Sequence, residues 1–124
     1  MYSSIRRRLK KMPLPLNVYQ TVTKVVGVNT VGIYTAPVGY SGIILLAQAA
    51  NIDSVTHTVS FSHKRTTAGI AVTTEIVKDL PIPANDSSNL LFGKLILETG
   101  DSIQINSDSA TNVKFIGSIL ETLN

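Results

Sequence analysis

Alternation of apolar and polar residues is the strongest pattern in the sequence, and it is clearest in 55–64, VTHTVSFSHK. Successive residues of a β-strand point to opposite faces of a sheet, so a period of two indicates a strand with one buried face. We expect Val59 and Phe61 to lie in the core, on the same side as Val55, His57 and His63. The opposite face should carry hydroxyl groups, from Thr56, Thr58, Ser60 and Ser62.

Seven further segments have the length and composition of strands and are separated by clusters of Gly, Pro, Asn and Asp. They cover 19–26, 31–35, 42–51, 70–77, 94–98, 102–106 and 113–121. About eight short strands without a long helical pattern predict an all-β fold, a single antiparallel β-sandwich of the jelly-roll kind. A short helical turn is suggested only around 87–92.

Two carboxylates, Glu98 and Asp101, lie three positions apart in the stretch ETGD and are the best candidates for acid–base chemistry. Such chemistry needs a pocket, a raised pKa on one group and supporting partners, none of which the sequence indicates. A tight turn accounts for every residue, because Gly100 can adopt a positive φ and Asp101 can accept backbone hydrogen bonds. We therefore predict a β-hairpin joining 94–98 to 102–106, and no catalytic residue.

The remaining candidates for metal or cofactor chemistry are weak. His57 and His63, six residues apart on a strand, should be separated by roughly 20 Å and could not share a metal ion. The chain has no cysteine. The stretch 39–42, GYSG, lacks the lysine and the following helix of a phosphate-binding loop. These observations predict no metal, no cofactor and no enzymatic activity.

The net charge of +3 is concentrated in the first twelve residues. These contain five bases and no acid, whereas 13–124 contain six bases and eight acids, a net charge of −2. A body of this sign argues against general binding of nucleic acid, and no aromatic residue lies among the five bases to stack on a nucleotide. We expect this arm to bind an acidic protein surface through Arg6, Arg7, Arg8, Lys10 and Lys11.

Pro13 and Pro15 mark the boundary between the arm and the body. Alternating prolines fix φ and give a stiff, extended spacer, so we place the arm and spacer at 1–16 and the β-sandwich domain at 17–124. The longest apolar run, 42–50, is far shorter than the roughly 18 to 20 residues of a membrane-spanning helix. A membrane is therefore not an expected partner.

Two segments resemble the small all-β virion proteins of tailed bacteriophages. In 34–53, YTAPVGYSGIILLAQAANID, a strand ends in T-x-P-x-G and the next, apolar strand ends in an asparagine. In 80–121 the pattern L-x-L-E-x-G-D-x-I precedes a closing strand that ends in Leu-Glu. The order and spacing of these patterns in so short a chain carry the resemblance.

The resemblance implies a structural component of a tailed-phage virion that packs on the capsid, neck or tail and self-associates, with a trimer favoured. Its partners would be other virion proteins, and its location the virion, after synthesis in the host cytoplasm. The implied residue roles are structural: Pro37 and Gly39 shape one corner, Gly100 and Asp101 another, and Asn51 closes a strand. The basic arm departs from the pattern and is expected to act as a docking device.

A carbohydrate- or receptor-binding module is the alternative, because the loops of the same sandwich can hold a sugar. The composition gives this alternative little support. The chain has no tryptophan, and its four tyrosines do not cluster on one predicted strand, so no stacking platform for a sugar ring is evident.

Overall fold

A computed structural model describes residues 17–66 and 71–124 of the chain, which form two antiparallel sheets. These two segments contain nine strands: β1 (Asn17–Val26), β2 (Val31–Thr35), β3 (Tyr40–Asn51), β4 (His57–Arg65), β5 (Val72–Ile82), β6 (Asp86–Asn89), β7 (Leu95–Leu97), β8 (Ser102–Ser107) and β9 (Val113–Leu123).

The strand order is that of a jelly roll. In the first sheet the order is β1-β9-β3, and both β6 and β7 pair with the far side of β3. The order in the second sheet is β2-β8-β4-β5. With β6 and β7 taken as one interrupted strand, eight strands fill two four-stranded sheets, as in double-sheet jelly rolls. The prediction of an all-β antiparallel sandwich is confirmed.

The interruption between β6 and β7 is a bulge away from the sheet. Asn89 pairs with Gln48 of β3 and Leu95 pairs with Ile44, so 90–94 must pass only 45–47 of the partner strand. Gly93 has a φ of +88°, and the side chain of Phe92 is 87% exposed. The helical turn suggested for 87–92 is wrong, because 87–89 pair with the end of β3 and Leu90 is buried in the core.

The predicted hairpin between 94–98 and 102–106 is also wrong. β7 pairs with β3 in the first sheet, whereas β8 lies between β2 and β4 in the second. The segment Glu98–Asp101 is a turn, but it carries the chain from one sheet to the other. Turn residues determine the local change of direction, and the partners of the two strands are chosen by the rest of the fold.

The core lies between the two sheets, and an aromatic pair spans it. Phe61 of β4 and Phe115 of β9 stack with ring centroids 5.9 Å apart and an interplanar angle of 22°. Val59 and Phe61 are fully buried, as the alternation predicts. Val55 is 55% exposed, contrary to the prediction, because β4 begins only at His57 and Val55 lies in the preceding loop.

The pairing of β4 with β5 is bulged, whereas β4 keeps a continuous register with β8 on its other side. The register between β4 and β5 shifts on both sides of Phe61. Ser62, which was expected on the side of β4 away from the core, is buried. Asp79 of β5 has a φ of +50° at this irregularity. Its backbone N–H donates a 3.0 Å hydrogen bond to Oγ of Ser60, so this hydroxyl satisfies a backbone group that the bulge displaces.

β5 runs further than the sequence predicts. The strand was expected to end at Val77, but it continues to Ile82 through Pro81. Proline lacks an N–H and is tolerated on an edge strand, where one row of backbone groups has no partner strand. Among the described strands β5 pairs only with β4, so it is such an edge.

Candidate functional site

The turn that contains Glu98 and Asp101 is tied to the end of β2. The N–H of Asp101 donates to the carbonyl of Glu98 at 2.9 Å, and Gly100 between them has a φ of +89°. A positive φ at the third position is characteristic of a type II turn. Ala36 fixes the turn from the other side, since its N–H donates to the Asp101 carbonyl and its carbonyl accepts from Gly100, each at 2.9 Å.

The two carboxylates of this turn are held in different ways. Asp101 is 1% exposed, accepts a 3.0 Å hydrogen bond from the N–H of Thr66 and lies 3.5 Å from Nε2 of His63. Glu98 is half exposed and forms an ion pair with Arg65. Asp101 therefore organises the start of the loop after β4, and Glu98 contributes an exposed ion pair. This arrangement accounts for both carboxylates without an acid–base role.

The second predicted corner, T-x-P-x-G, lies between β2 and β3. The N–H of Tyr40 donates to the carbonyl of Pro37 at 3.0 Å, and Gly39 has a φ of +86°. The carbonyl of Gly39 also accepts a 2.9 Å hydrogen bond from the N–H of Asn124. This corner therefore lies beside the end of β9.

Asn51, at the end of β3, is buried and connects the loop between β3 and β4 to the end of β5. Its side-chain amide donates to the carbonyls of Val55 at 2.8 Å and Ile82 at 3.0 Å, and its side-chain oxygen accepts from the N–H of Asp53 at 2.9 Å. The side chain is 1% exposed. A buried amide with satisfied donors and acceptor holds the loops in one arrangement.

A cluster at the same end of the sandwich was not predicted from the sequence. His57 lies between two carboxylates, with Nε2 2.8 Å from Asp53 and Nδ1 2.8 Å from Asp108. The hydrogen bond to Asp53 is the main factor that raises the pKa of His57, and Asp108 adds to it. The pKa of Asp53 is lowered, chiefly by the same bond. The protonated imidazole therefore ties the loop before β4 to the loop after β8.

This cluster is not arranged as a metal site. The two carboxylates bind different nitrogens of the imidazole, so their oxygens and the ring nitrogens do not converge on one point. Within 17–66 and 71–124, no group of three or more His, Cys, Asp or Glu side chains is placed to hold a metal ion. His63 lies toward the opposite end of β4, beside Asp101.

The most extensive candidate surface is the outward side of the first sheet, which we call the outer face. Residues in register across it form rows, and one row is apolar over four strands: Tyr19 of β1, Leu120 of β9, Ile43 of β3 and Ile96 of β7. Tyr19 is 73% exposed and Ile96 63%.

The outer face is almost free of charge. Lys114 is the only charged residue among its positions on the described strands, which are 17, 19, 21, 23 and 25 of β1, 41, 43, 46, 48 and 50 of β3, 87 and 89 of β6, 96 of β7, and 114, 116, 118, 120 and 122 of β9. The other positions carry apolar, hydroxyl or amide side chains. Covering this surface would desolvate a single charge, and its hydroxyl and amide groups would need hydrogen bonds from the partner.

The outer face has no signature in the sequence, because its members are far apart in the chain. The predicted arm residues, Arg6, Arg7, Arg8, Lys10 and Lys11, lie outside the described residues.

No helix in the described part of the chain has the length and apolar character needed to cross a bilayer.

No protein family and no curated protein sequence matches the chain. Solved structures of infectious bursal disease virus proteins are similar in fold. A structure of the viral particle gives a TM-score of 0.51 over 89% of this chain, at 10% identity. The D431N mutant VP2 protein gives 0.52 over 87%, at 9% identity, and the Gx strain structure gives 0.50 over 85%, at 10% identity. This chain spans about a third of those chains, 32%, 32% and 31% of their lengths. At these identities the similarity establishes a shared β-sandwich fold.

Proposed function

We propose that this protein is a non-enzymatic structural subunit of a viral particle, where it packs against copies of itself and against other particle proteins. The observation that carries the proposal is the outer face, with its apolar row and its single charge. Soluble monomers rarely expose a large contiguous apolar patch, and such patches usually mark interaction surfaces.

The exposure of the apolar side chains supports this function. Besides Tyr19 and Ile96, the outer face exposes 42% of Ile116 and 38% of Leu46. Burial of apolar area contributes about 25 cal/mol per Å², and no buried charge other than Lys114 would oppose it. A partner that covers this face therefore gains hydrophobic free energy at little electrostatic cost.

The fold is compatible with a structural role in a viral particle, but the fold alone does not distinguish this role from sugar binding. Double-sheet jelly rolls occur in viral capsid proteins and also in lectin domains. The similar solved structures are a viral particle and a VP2 protein of that virus, which favours the first group. Two tyrosines also favour it: Tyr19 lies in an apolar row instead of a polar pocket, and the Tyr34 hydroxyl is hydrogen-bonded to Glu121.

A finer assignment follows from the sequence patterns. The T-x-P-x-G and L-x-L-E-x-G-D-x-I segments favour a component of the capsid surface, neck or tail of a tailed phage. The arm at 1–16, with five bases, would dock on an acidic surface of a neighbouring particle protein.

The proposal is tested on virus particles from cells that encode the chain. Particles banded by density should contain the chain at a fixed molar ratio to the main shell protein in every fraction, as measured by quantitative mass spectrometry. Recovery of the chain only in the soluble fraction would contradict a structural role. Binding of the isolated chain to glycans or to host cells, without incorporation into particles, would favour the receptor-binding alternative.

A further inference from the structure

The edges of the two sheets differ in how they are protected against pairing with another strand. An edge strand presents unpaired N–H and C=O groups, and proteins usually guard such edges by short length, bulges, proline or charge. In the described part of the chain the edges are β1 and β6/β7 in the first sheet, and β2 and β5 in the second.

Three of these edges carry protective features. β6 and β7 have four and three residues and are interrupted by a bulge. β2 has five residues and an irregularity between Gly32 and Tyr34. β5 is bulged, contains Pro81 and carries charges at Lys78 and Asp79. None of the three offers a long, straight and uncharged template for strand addition.

β1 lacks these features over most of its length. All ten residues pair with β9 in one continuous register, from Asn17 with Thr122 to Val26 with Val113. The strand contains no proline, and its one charged residue, Lys24, is the eighth. The first seven residues, NVYQTVT, are uncharged and alternate between the two faces of the sheet. On its other side, β1 pairs with no strand of the described chain.

We propose that the β1 edge pairs with β1 of a second copy of this chain, antiparallel about a two-fold axis, so that the first sheets of two copies become one continuous sheet. This inference rests on the proposed self-association and names the surface that performs it. Strand addition gains affinity from backbone hydrogen bonds, and side chains on alternate positions determine its specificity.

The side chains of β1 favour a second β1 as the partner. In an antiparallel pair, residues directly opposite each other share a face of the sheet. With Gln20 at the centre, Val18 of one copy lies opposite Val22 of the other on the inner side, and Tyr19 lies opposite Thr21 on the outer side. Aromatic, β-branched and hydroxyl residues on both strands form favourable cross-strand pairs. Because the chain supplies these residues itself, an isologous contact is self-complementary.

Lys24 determines the direction of pairing. In an antiparallel pair centred on Gln20, Asn17–Thr23 of the two copies lie opposite each other and the two Lys24 side chains fall at opposite ends. A parallel arrangement would bring the two Lys24 side chains to neighbouring positions on adjacent strands, where like charges repel. The antiparallel arrangement also extends the outer face without a break across both copies.

Single cysteines provide the test, because the chain has none of its own. Thr21→Cys places an exposed thiol at the middle of β1, and Thr74→Cys, the matched control, places one on the exposed edge of β5. Each full-length variant is treated at low micromolar concentration with a short thiol-specific bifunctional cross-linker. An interface holds its two thiols at an effective millimolar concentration, so Thr21→Cys should form covalent dimer about a hundredfold faster than the control.

A charge at the same position provides the second measurement. Thr21→Lys should weaken self-association about tenfold in sedimentation equilibrium, because it places two lysines close together on an edge that is otherwise uncharged. Thr74→Lys should not change it. Both substitutions are at exposed positions, so the thermal unfolding midpoint at low protein concentration should remain that of the wild type.

The outcomes separate this inference from the proposed function. Equal cross-linking of the two cysteine variants, or an oligomer that Thr21→Lys leaves intact, would overturn pairing through β1. A chain that is monomeric in isolation but present in particles at fixed stoichiometry would overturn it as well, while leaving the structural role in place. Absence from particles would instead overturn the structural role, whatever the cross-linking shows.

Discussion

The phenol of Tyr34 donates a 2.6 Å hydrogen bond to the carboxylate of Glu121, and this bond joins β2 of the second sheet to β9 of the first. Glu121 is only 6% exposed, and Gln20 of β1 donates to its other oxygen. Burial and the neighbouring carboxylate raise the pKa of Tyr34 far above its ordinary value, so the phenol stays protonated and remains a donor at physiological pH.

Tyr34→Phe should therefore lower the free energy of unfolding by about 1.5 to 3 kcal/mol, because it leaves a buried carboxylate with one donor fewer. Urea unfolding followed by circular dichroism measures the loss. Tyr40→Phe is the matched control, since the Tyr40 hydroxyl makes no hydrogen bond to the described residues, and it should change stability by no more than about 0.5 kcal/mol. Equal effects of the two variants would mean that the bond to Glu121 contributes nothing.

The cluster of His57 with Asp53 and Asp108 predicts a pH-dependent stability. His57 has a raised pKa, so its contribution is complete below about pH 6.5 and is lost as the pH rises through the higher folded value. Asp53 has a lowered pKa, so its contribution is complete above about pH 4 and is lost as the pH falls. Together they stabilise the loops most between these two limits.

The His57 ring titration, followed by NMR, should have its midpoint above that of an ordinary histidine. The thermal midpoint of the protein should fall between pH 6 and pH 9, and His57→Gln should reduce that fall. A His57 midpoint at or below about 6.5 would contradict the double hydrogen bond to the two aspartates.

The backbone conformation of Gly100 should make this position intolerant of any other residue. With a φ of +89°, the position disfavours any residue with a Cβ, and an added Cβ would also lie 3.2 Å from Oγ1 of Thr66. Gly100→Val should cost more than about 1 kcal/mol of unfolding free energy. Gly32→Ala, where an added Cβ meets no atom within 4 Å, is the control and should be neutral within about 0.5 kcal/mol.

Phe61 and Ser60 are neighbours on β4 with very different expected contributions. Phe61→Ala removes the ring that stacks on Phe115 and should cost roughly 3 to 5 kcal/mol. Ser60→Ala removes the acceptor of the Asp79 N–H and also the 3.4 Å hydrogen bond that the hydroxyl donates to Oδ1 of Asp79, and it should cost about 0.5 to 1.5 kcal/mol, more than loss of a solvent-exposed hydroxyl would. Guanidinium unfolding of both variants measures the two losses of unfolding free energy and tests whether Phe61→Ala is the larger. A cost for Ser60→Ala as large as that for Phe61→Ala would contradict the assigned register.

Deletion of 1–12 tests the role of the arm. The five bases should be needed for docking and dispensable for folding, because Pro13 and Pro15 separate them from the first strand. We expect an unchanged circular dichroism spectrum and a loss of incorporation into particles. Replacement of the five bases by glutamine should have the same effect as the deletion. Unfolding of the truncated chain would place the arm in the core.

The class of fold could be predicted from the sequence wherever a strand has one buried face, because apolar and polar residues then alternate. Val59 and Phe61 alternate with polar residues, and the structure buries both. Strand neighbours could not be predicted, because the residues of a turn such as Glu98–Asp101 are the same whether the next strand pairs with the last or crosses to the other sheet. The irregular pairing beside Phe61 depends on β5, and no local pattern of β4 reveals it.

The candidate surfaces were harder to predict than the fold. Tyr19, Ile43, Ile96 and Leu120 come from four strands, and each is an ordinary apolar residue in its own segment. Asp53 and Asp108 are ordinary loop acids by sequence, since nothing local places them on the same imidazole. Long-range strand pairing assembles both the apolar row and the His57 cluster. Short sequence windows carry no information about such pairing.

The central place of β9 in the first sheet has a consequence for the order of events during synthesis. β9 is made last of the described strands, yet it separates β1 from β3 and pairs with both along most of its length. Until it leaves the ribosome, the two strands that it joins have no common neighbour, and their apolar residues stay accessible to water and to other nascent chains. The protein should therefore acquire its native sheet only after translation of 113–123, and chains interrupted before that point should be substrates for chaperones and proteases.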